Sequence, residues 1–250
     1  MRVLVVTAVA VESDSVVAGL GGDAVSAPGA LPSGHALTRL RRRPPHAADG
    51  ATTDTVVDVV TGGVGPAAAA VAATAALAAA PAPYDLVVSA GIGGGFAPVA
   101  PLGTLVVSGS IVAADLGADT PDGYVAVEEL GFGRSVHLPP PGLTGRIAAA
   151  LRADGRPHVV APALTVSTVT GTAARTAELI ARHPGAGSEA MEGFGVAEAA
   201  AAHGVPVVEL RAVSNTVGPR DRAAWRIGEA LDSLRHAFRS LGTTVFPEDL

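Results

Sequence analysis

Glu192 and Asn215 carry the chemistry needed to hold two ends of one small molecule. A carboxylate can grip hydroxyl groups and stabilise a developing positive charge. An amide can meet a group that has both donor and acceptor edges. Glu192 is expected to open an Ala-rich helix over residues 192–203, where free N–H groups and the helix dipole favour an acid. Asn215 follows an apolar strand ending near Ala212 or Val213, the end at which open α/β sheets place their ligands. Helix start and strand end can thus share one crevice. Taken singly, Glu192 would be a helix-start acid worth at most about 1 kcal/mol. A further acid, Glu12, follows the first apolar run, where the bland reading is an exposed loop acid.

These residues need a frame, and the hydrophobic pattern supplies one. Continuous β-branched and aliphatic runs at 2–7, 55–60 and 85–90 have the pattern of strands buried on both faces. A long or bent strand is expected over 102–115, and extended segments over 158–168 and 206–213. Helices are expected over 66–79, where Pro66 suits a first turn, and over 143–154, 172–183 and 222–241. The last of these carries Trp225, Leu231, Leu234 and Phe238 near one face. Alternating strands and helices imply a layered α/β sheet, read as a single domain over 1–250. The segment 21–54, rich in Pro and Gly, is the least regular. Glycine clusters at 62–65 and 91–95 are read as turns closing two of the strands. Neither fits the spacing of a dinucleotide-binding loop.

Composition removes several classes of function. The chain has 250 residues, a net charge of −6 and no cysteine. Its 17 basic residues are all arginine, so Schiff-base lysines and P-loop lysines are excluded along with thiol chemistry. The acidic balance argues against nucleic acid and against a membrane surface as partners. Arg39 and residues 41–43 form the one basic run, read as a solvated loop or strand edge. The Ala-rich stretch from Pro66 is too short and too weakly apolar to span a bilayer, and residues 1–11 lead into acids rather than a cleavage region. A cytoplasmic protein is the expectation. Nothing in the pattern calls for a metal or another cofactor.

Glu12, the glycine clusters, Ala190-Met191-Glu192-Gly193 and Arg211-Ala212-Val213-Ser214-Asn215 occur in an order that resembles the purine nucleoside phosphorylase and nucleosidase superfamily. The layout is similar to the branch containing methylthioadenosine/S-adenosylhomocysteine nucleosidase. Within it, residues 210–225, 114–123 and 128–133 are most similar to the futalosine hydrolases. The resemblance implies a three-layer α/β/α sandwich around a twisted, largely parallel mixed sheet, nucleoside phosphorylase-like, and a homodimer or higher homo-oligomer. It implies a small purine nucleoside as partner and a step of the alternative menaquinone route.

By the same resemblance, Glu192 grips the ribose, Met191 packs under the sugar, Glu12 activates water and Ser214 orients Asn215. Arg211, Gly93, Thr168 and Val169 fall at substrate-binding positions. Arg220 and Arg222, with Arg134 and His137, are candidates for the cation that meets the aryl carboxylate of futalosine. Adenosine-specific members carry Asp where Asn215 stands; an amide instead matches protonated N7 beside O6 of hypoxanthine. Members that use phosphate need an Arg and a hydroxyl near the second glycine cluster. Here Val87-Val88-Ser89-Ala90 holds no Arg and Ile92 replaces the hydroxyl, so water is the expected nucleophile. A methylthioadenosine, S-adenosylhomocysteine or aminodeoxyfutalosine nucleosidase is the alternative enzyme, and a nucleoside-binding sensor the alternative outside enzymes.

Overall fold

The computed structural model describes residues 1–21, 25–42 and 54–247. The first half of the chain forms β1 (Arg2–Thr7), α1 (Ala10–Leu20), β2 (Val25–Ala30), β3 (Ala36–Arg42), β4 (Thr55–Thr61), α2 (Pro66–Ala78) and β5 (Leu86–Gly95). Then come β6 (Leu105–Ala113), β7 (Gly117–Thr120), β8 (Gly123–Ala126), β9 (Val136–His137) and α3 (Pro141–Ala153). The chain continues through β10 (His158–Thr165), α4 (Ala173–Arg182), β11 (Ser188–Ala190), α5 (Gly193–Ala202), β12 (Val207–Thr216) and α6 (Ile227–Thr244).

The sheet runs β11-β10-β6-β12-β5-β1-β4-β3-β2, with β9 beside β6. Pairs β4–β1–β5–β12 at its centre are parallel, whereas β12–β6 and the β4–β3–β2 edge are antiparallel. The end of β5 also pairs with β11, Gly94 opposite Glu189 and Gly95 opposite Ser188. That extra pairing closes β5, β12, β6, β10 and β11 into a ring. The hairpin β7–β8 forms a separate two-stranded sheet.

Side-chain alternation explains the layers. Val3 and Val5 of β1 pack with α1, α3 and α6 on one face, while Leu4 and Val6 pack with α2 and α5 on the other. Both faces being covered, the central strands read as unbroken apolar runs. Phe96, Val112, Leu164, Val166, Leu179 and Val217 fill a smaller cluster under α4. The alanines of α2 do specific work: Ala69, Ala73 and Ala76 face Ala197 and Ala200 of α5 in one core. At Gly195 the two helices touch so closely that a methyl group would strike the Pro66 backbone.

Several expectations are corrected. Residues 10–20 form α1, where the sequence suggested a loop. Its Ser, Asp and Val residues are weak helix formers, yet Glu12, Val16, Gly19 and Leu20 line up as one buried stripe. Residues 91–95 are not a turn but the continuation of β5. Glycine is required there by close approach. A Cβ on Gly91 would lie 2.6 Å from Glu12 Oε1 and 2.7 Å from Arg211 Nη1. The last helix starts at Ile227 rather than 222, after a short 3-10 turn at Arg222–Ala224, so Trp225 lies outside it. Arg39 is not on a solvated edge. Its guanidinium makes a bidentate pair with the fully buried Asp58 at 2.7 and 2.8 Å, and Tyr84 donates to the same carboxylate. Arg43 of that run lies outside the described residues.

Candidate active site

The parallel strands β1, β5 and β12 all end at one edge of the sheet. A cavity of about 430 Å³ opens there, walled by Glu12, Ile92, Gly93, Glu189, Met191, Glu192, Ser214, Asn215, Arg220 and Trp225, among others. Of the residues singled out in the sequence, Glu12, Gly93, Val169, Met191, Glu192, Ser214, Asn215 and Arg220 line it. Thr168 does not; it lines a neighbouring cavity with Asp115, Tyr124 and Arg175, which meets the first at Val169 and Thr170. Arg222 sits exposed in the 3-10 turn and is not in the wall. Arg134 and His137 both bond Glu198 instead, at 3.1 and 2.7 Å.

Glu12 is the third residue of α1 and only 3% exposed. Its Oε2 accepts from the N–H groups of Ala8 and Val9 at 3.0 and 3.4 Å, tying down the helix start. Its Oε1 accepts from Ile92 N–H at 2.9 Å. One carboxylate thus joins the ends of β1 and β5 while facing the cavity.

Glu192 precedes α5 but does not cap it with its side chain. Thr165 accepts the Phe194 N–H in its place, at 2.8 Å. Glu192 is instead held across the helix seam. Oε1 accepts from Gly65 N–H at 3.2 Å, and Oε2 from Met191 N–H at 3.3 Å. The seam between α2 and α5 is therefore what brings the Gly65 amide within reach.

Beneath both acids lies Arg211, 1% exposed and outside the cavity wall. Its Nη1 is 3.2 Å from Glu192 Oε2, its Nε 2.7 Å from Glu209 Oε1, and its Nη2 donates to Ser89 Oγ at 3.1 Å. Burial alone would lower its pKa, but Glu209, Glu192 and Glu12 together raise it, so the guanidinium stays charged. Resemblance placed Arg211 among the substrate contacts; the geometry makes it the support under them.

Asn215 ends the strand in a fixed pose. Ser214 Oγ lies 3.0 Å from Asn215 Oδ1 and 3.2 Å from the Gly93 carbonyl. The amide nitrogen donates to the Thr216 carbonyl at 3.2 Å. An amide has two N–H groups, so one remains for a ligand beside the Oδ1 acceptor.

Sequence reasoning passed over three residues in or near this wall. Glu189 lines the cavity, pinned by Thr170 through N–H and Oγ1 at 2.8 and 2.5 Å. Burial pushes its carboxyl up, opposed by those two bonds. Its strand, Ser188–Ala190, is only three residues long and left no periodic signal in the sequence. Trp225, assigned to a helix face, instead lies against the Arg220 guanidinium at 5.7 Å from the ring centre. Glu209 shares a strand face with Arg211, two residues on, and was read only as part of a strand.

The family model of the phosphorylase superfamily matches residues 36–245. A futalosine hydrolase of Streptomyces coelicolor is 59% identical over 98% of this chain and 97% of its own length. Another, from Acidothermus cellulolyticus, is 43% identical over 96% of this chain and 89% of its own. Among solved structures, the native futalosine hydrolase of Helicobacter pylori superposes with a TM-score of 0.77 at 15% identity, covering 96% of this chain and 97% of that one. A 5′-methylthioadenosine/S-adenosylhomocysteine nucleosidase from Colwellia psychrerythraea 34H, in complex with adenine, gives 0.74 at 21% identity, covering 98% and 96%. Those two likenesses bear on the fold, which is the nucleoside phosphorylase-like α/β sandwich. Sequence identity along nearly the whole length carries the assignment further, and the chain belongs to the futalosine hydrolases of the phosphorylase superfamily.

Proposed function

We infer that this chain, acting as a single domain, hydrolyses the N-glycosidic bond of futalosine, releasing hypoxanthine and dehypoxanthinyl futalosine for menaquinone synthesis. One observation supports this most: the Asn215 amide, posed by Ser214, opens on the same cavity as Glu12 and Glu192. Breaking the bond leaves positive charge on the ribose and negative charge on the purine. Glu192 lies where a carboxylate can hold the ribose hydroxyls and offset the positive charge, with Met191 under the sugar. The free N–H of Asn215 gives to O6 of the base, and Oδ1 takes a bond from protonated N7. Glu12 holds the attacking water and accepts its proton.

Water suits this site better than phosphate. The Ile92 N–H, near the place where a phosphate group would need donors, is already given to Glu12. Arg211 is committed to Glu192, Glu209 and Ser89. A phosphate dianion would meet carboxylates first.

The substrate's aryl carboxylate fits Arg220, which has no ion pair among the described residues and lies against Trp225 in the cavity wall. We place Gly93 and Val169 against the base and Thr168 just behind them. We further propose a cytoplasmic homodimer. Phe132 at 82% exposure and Leu138 at 75% are large apolar side chains best explained by a second subunit. No helix among the described residues is long and apolar enough to cross a membrane.

Incubation with futalosine in phosphate-free buffer should release hypoxanthine and the free sugar, from a particle sedimenting at twice 24.5 kDa. Turnover that needs phosphate and yields a ribose 1-phosphate would overturn the assignment of the nucleophile. A monomeric mass would overturn the dimer.

Asn215→Asp should shift preference from futalosine towards aminodeoxyfutalosine, its 6-amino analogue. A carboxylate only accepts, so it faces the lone pairs of O6 but suits an amino group. The ratio of the two kcat/KM values should move by about 1–3 kcal/mol, or roughly five- to 150-fold. An unchanged ratio in a folded variant would mean that backbone near Thr168 and Val169 reads the 6-position instead.

A further inference from the structure

One buried guanidinium pairs with the carboxylates of Glu192 and Glu209 and feels the charge of a third, Glu12, and hydrolysis as proposed above uses only Glu12 and Glu192. Glu209 is fully buried in β12, and its Oε1 takes the Arg211 Nε at 2.7 Å. Its backbone N–H donates to Ser108 Oγ of β6 at 2.8 Å, which fixes the strand beneath the side chain. Its other oxygen, Oε2, has no hydrogen-bond partner. The carboxylate lies against the Cα of Gly193, where any side chain would collide with it. Room for this acid has been kept at the first residue of α5, directly after Glu192. A group buried this deeply and left half satisfied costs stability, so it calls for a reason.

We propose that Glu209 is a positioning residue: it occupies one edge of Arg211 and limits how much of that positive charge falls on Glu12 and Glu192. This rests on the hydrolase reading of the same site. Guanidinium is a rigid fork, and an acceptor on Nε fixes the direction of both Nη groups. With Glu209 on that edge, Nη1 lies 3.2 Å from Glu192 Oε2 and crowds Gly91 together with Glu12 Oε1, while Nη2 is turned to Ser89 of β5. The ionisable groups meeting here are Glu12 from α1, Glu192 before α5, and Glu209 and Arg211 from β12. The facing groups from β5 and β6 are the hydroxyls of Ser89 and Ser108. Without Glu209, one cation would serve two acids alone. Glu12 would then be a weaker base for water, and Glu192 a weaker partner for the ribosyl cation. Burial holds the Glu209 carboxyl above the usual carboxylate range; Arg211 on the same edge draws it down and Glu192 pushes it up.

Glu209→Gln keeps size and an acceptor for Nε while removing the charge. With futalosine, the acid limb of its kcat/KM profile should move to lower pH by about one unit or more, because neighbouring carboxylates ionise more easily beside an unshared cation. The plateau rate should fall about tenfold as the base weakens. Glu209→Asp keeps the charge, so its limb should stay near that of the parent enzyme. A Gln profile with its limb in the parental place, or an Asp limb displaced as far as the Gln limb, overturns the proposal. Should the Gln variant not fold, carboxyl ¹³C NMR of the parent protein decides, with the Glu209 signal assigned by its loss in Glu209→Asp. A Glu209 that is ionised at pH 7 supports the proposal, and a neutral one overturns it. Absence of futalosine turnover in the parent enzyme would instead count against the hydrolase reading itself.

Discussion

Glu192→Gln should lower kcat by about 10²–10³, or roughly 2.7–4 kcal/mol, while KM changes little. The amide has the same shape and still offers an oxygen to the Gly65 N–H, which now bonds Oε1 at 3.2 Å. What it lacks is the negative charge opposite the developing ribosyl cation. That charge matters more in the transition state than in the bound nucleoside, so the loss appears in kcat. Single-turnover hypoxanthine release, beside substrate binding to the inert variant, separates the two quantities. Near-normal turnover would remove Glu192 from its role. A large rise in KM with kcat preserved would make it a binding residue only.

Arg211→Met should cost about 3–5 kcal/mol of folding stability, a large part of the roughly 5–15 kcal/mol that holds a domain together. Met has the length of the arginine stem but leaves Glu12, Glu192 and Glu209 buried with no counter-charge. The sign with pH follows from Glu209, whose carboxyl burial already pushes up. A carboxyl raised in the folded state binds its proton more tightly there than in the unfolded chain. Stability is therefore kept at low pH and lost as pH rises through the folded value. The variant should look closer to the parent at pH 5 than at pH 8 in urea unfolding. A difference under about 1 kcal/mol at pH 8 would show that the three acids do not depend on this cation.

The sequence revealed those site residues whose chemistry is announced by a neighbour. Met191-Glu192 at a helix start and Ser214-Asn215 at a strand end each pair a functional group with the element that aims it, and all four line one cavity. Glu12 was found through its place after β1, although its helix was not, because Ser, Asp and Val hide a helix whose stability comes from packing. Residues 91–95 misled for a related reason. Glycine usually marks a turn, but in β5 it marks a strand that other groups must approach. Glu209 and Arg211 were visible as two charges on one face of a buried strand. Their meaning needed the third dimension, since Glu12 and Glu192 come from distant parts of the chain. Closure of the ring through β11 was likewise out of reach, as three residues carry no periodicity of their own.

The seam between α2 and α5 bears on how this enzyme can be engineered. Alanine runs look like filler, and a stability programme would replace them with larger side chains. Here they act as a machined tolerance. Gly195 rests on the Pro66 backbone, and one turn away the Gly65 amide meets Glu192. Widening the gap by the breadth of a methyl group would carry that amide out of hydrogen-bond range, yet the helices would remain folded and well packed on their outer faces. Thermal screening alone would then select proteins that melt later and turn over more slowly. Libraries for this scaffold should spare the seam and draw their diversity from the exposed side of α2, where Val71 is 60% exposed.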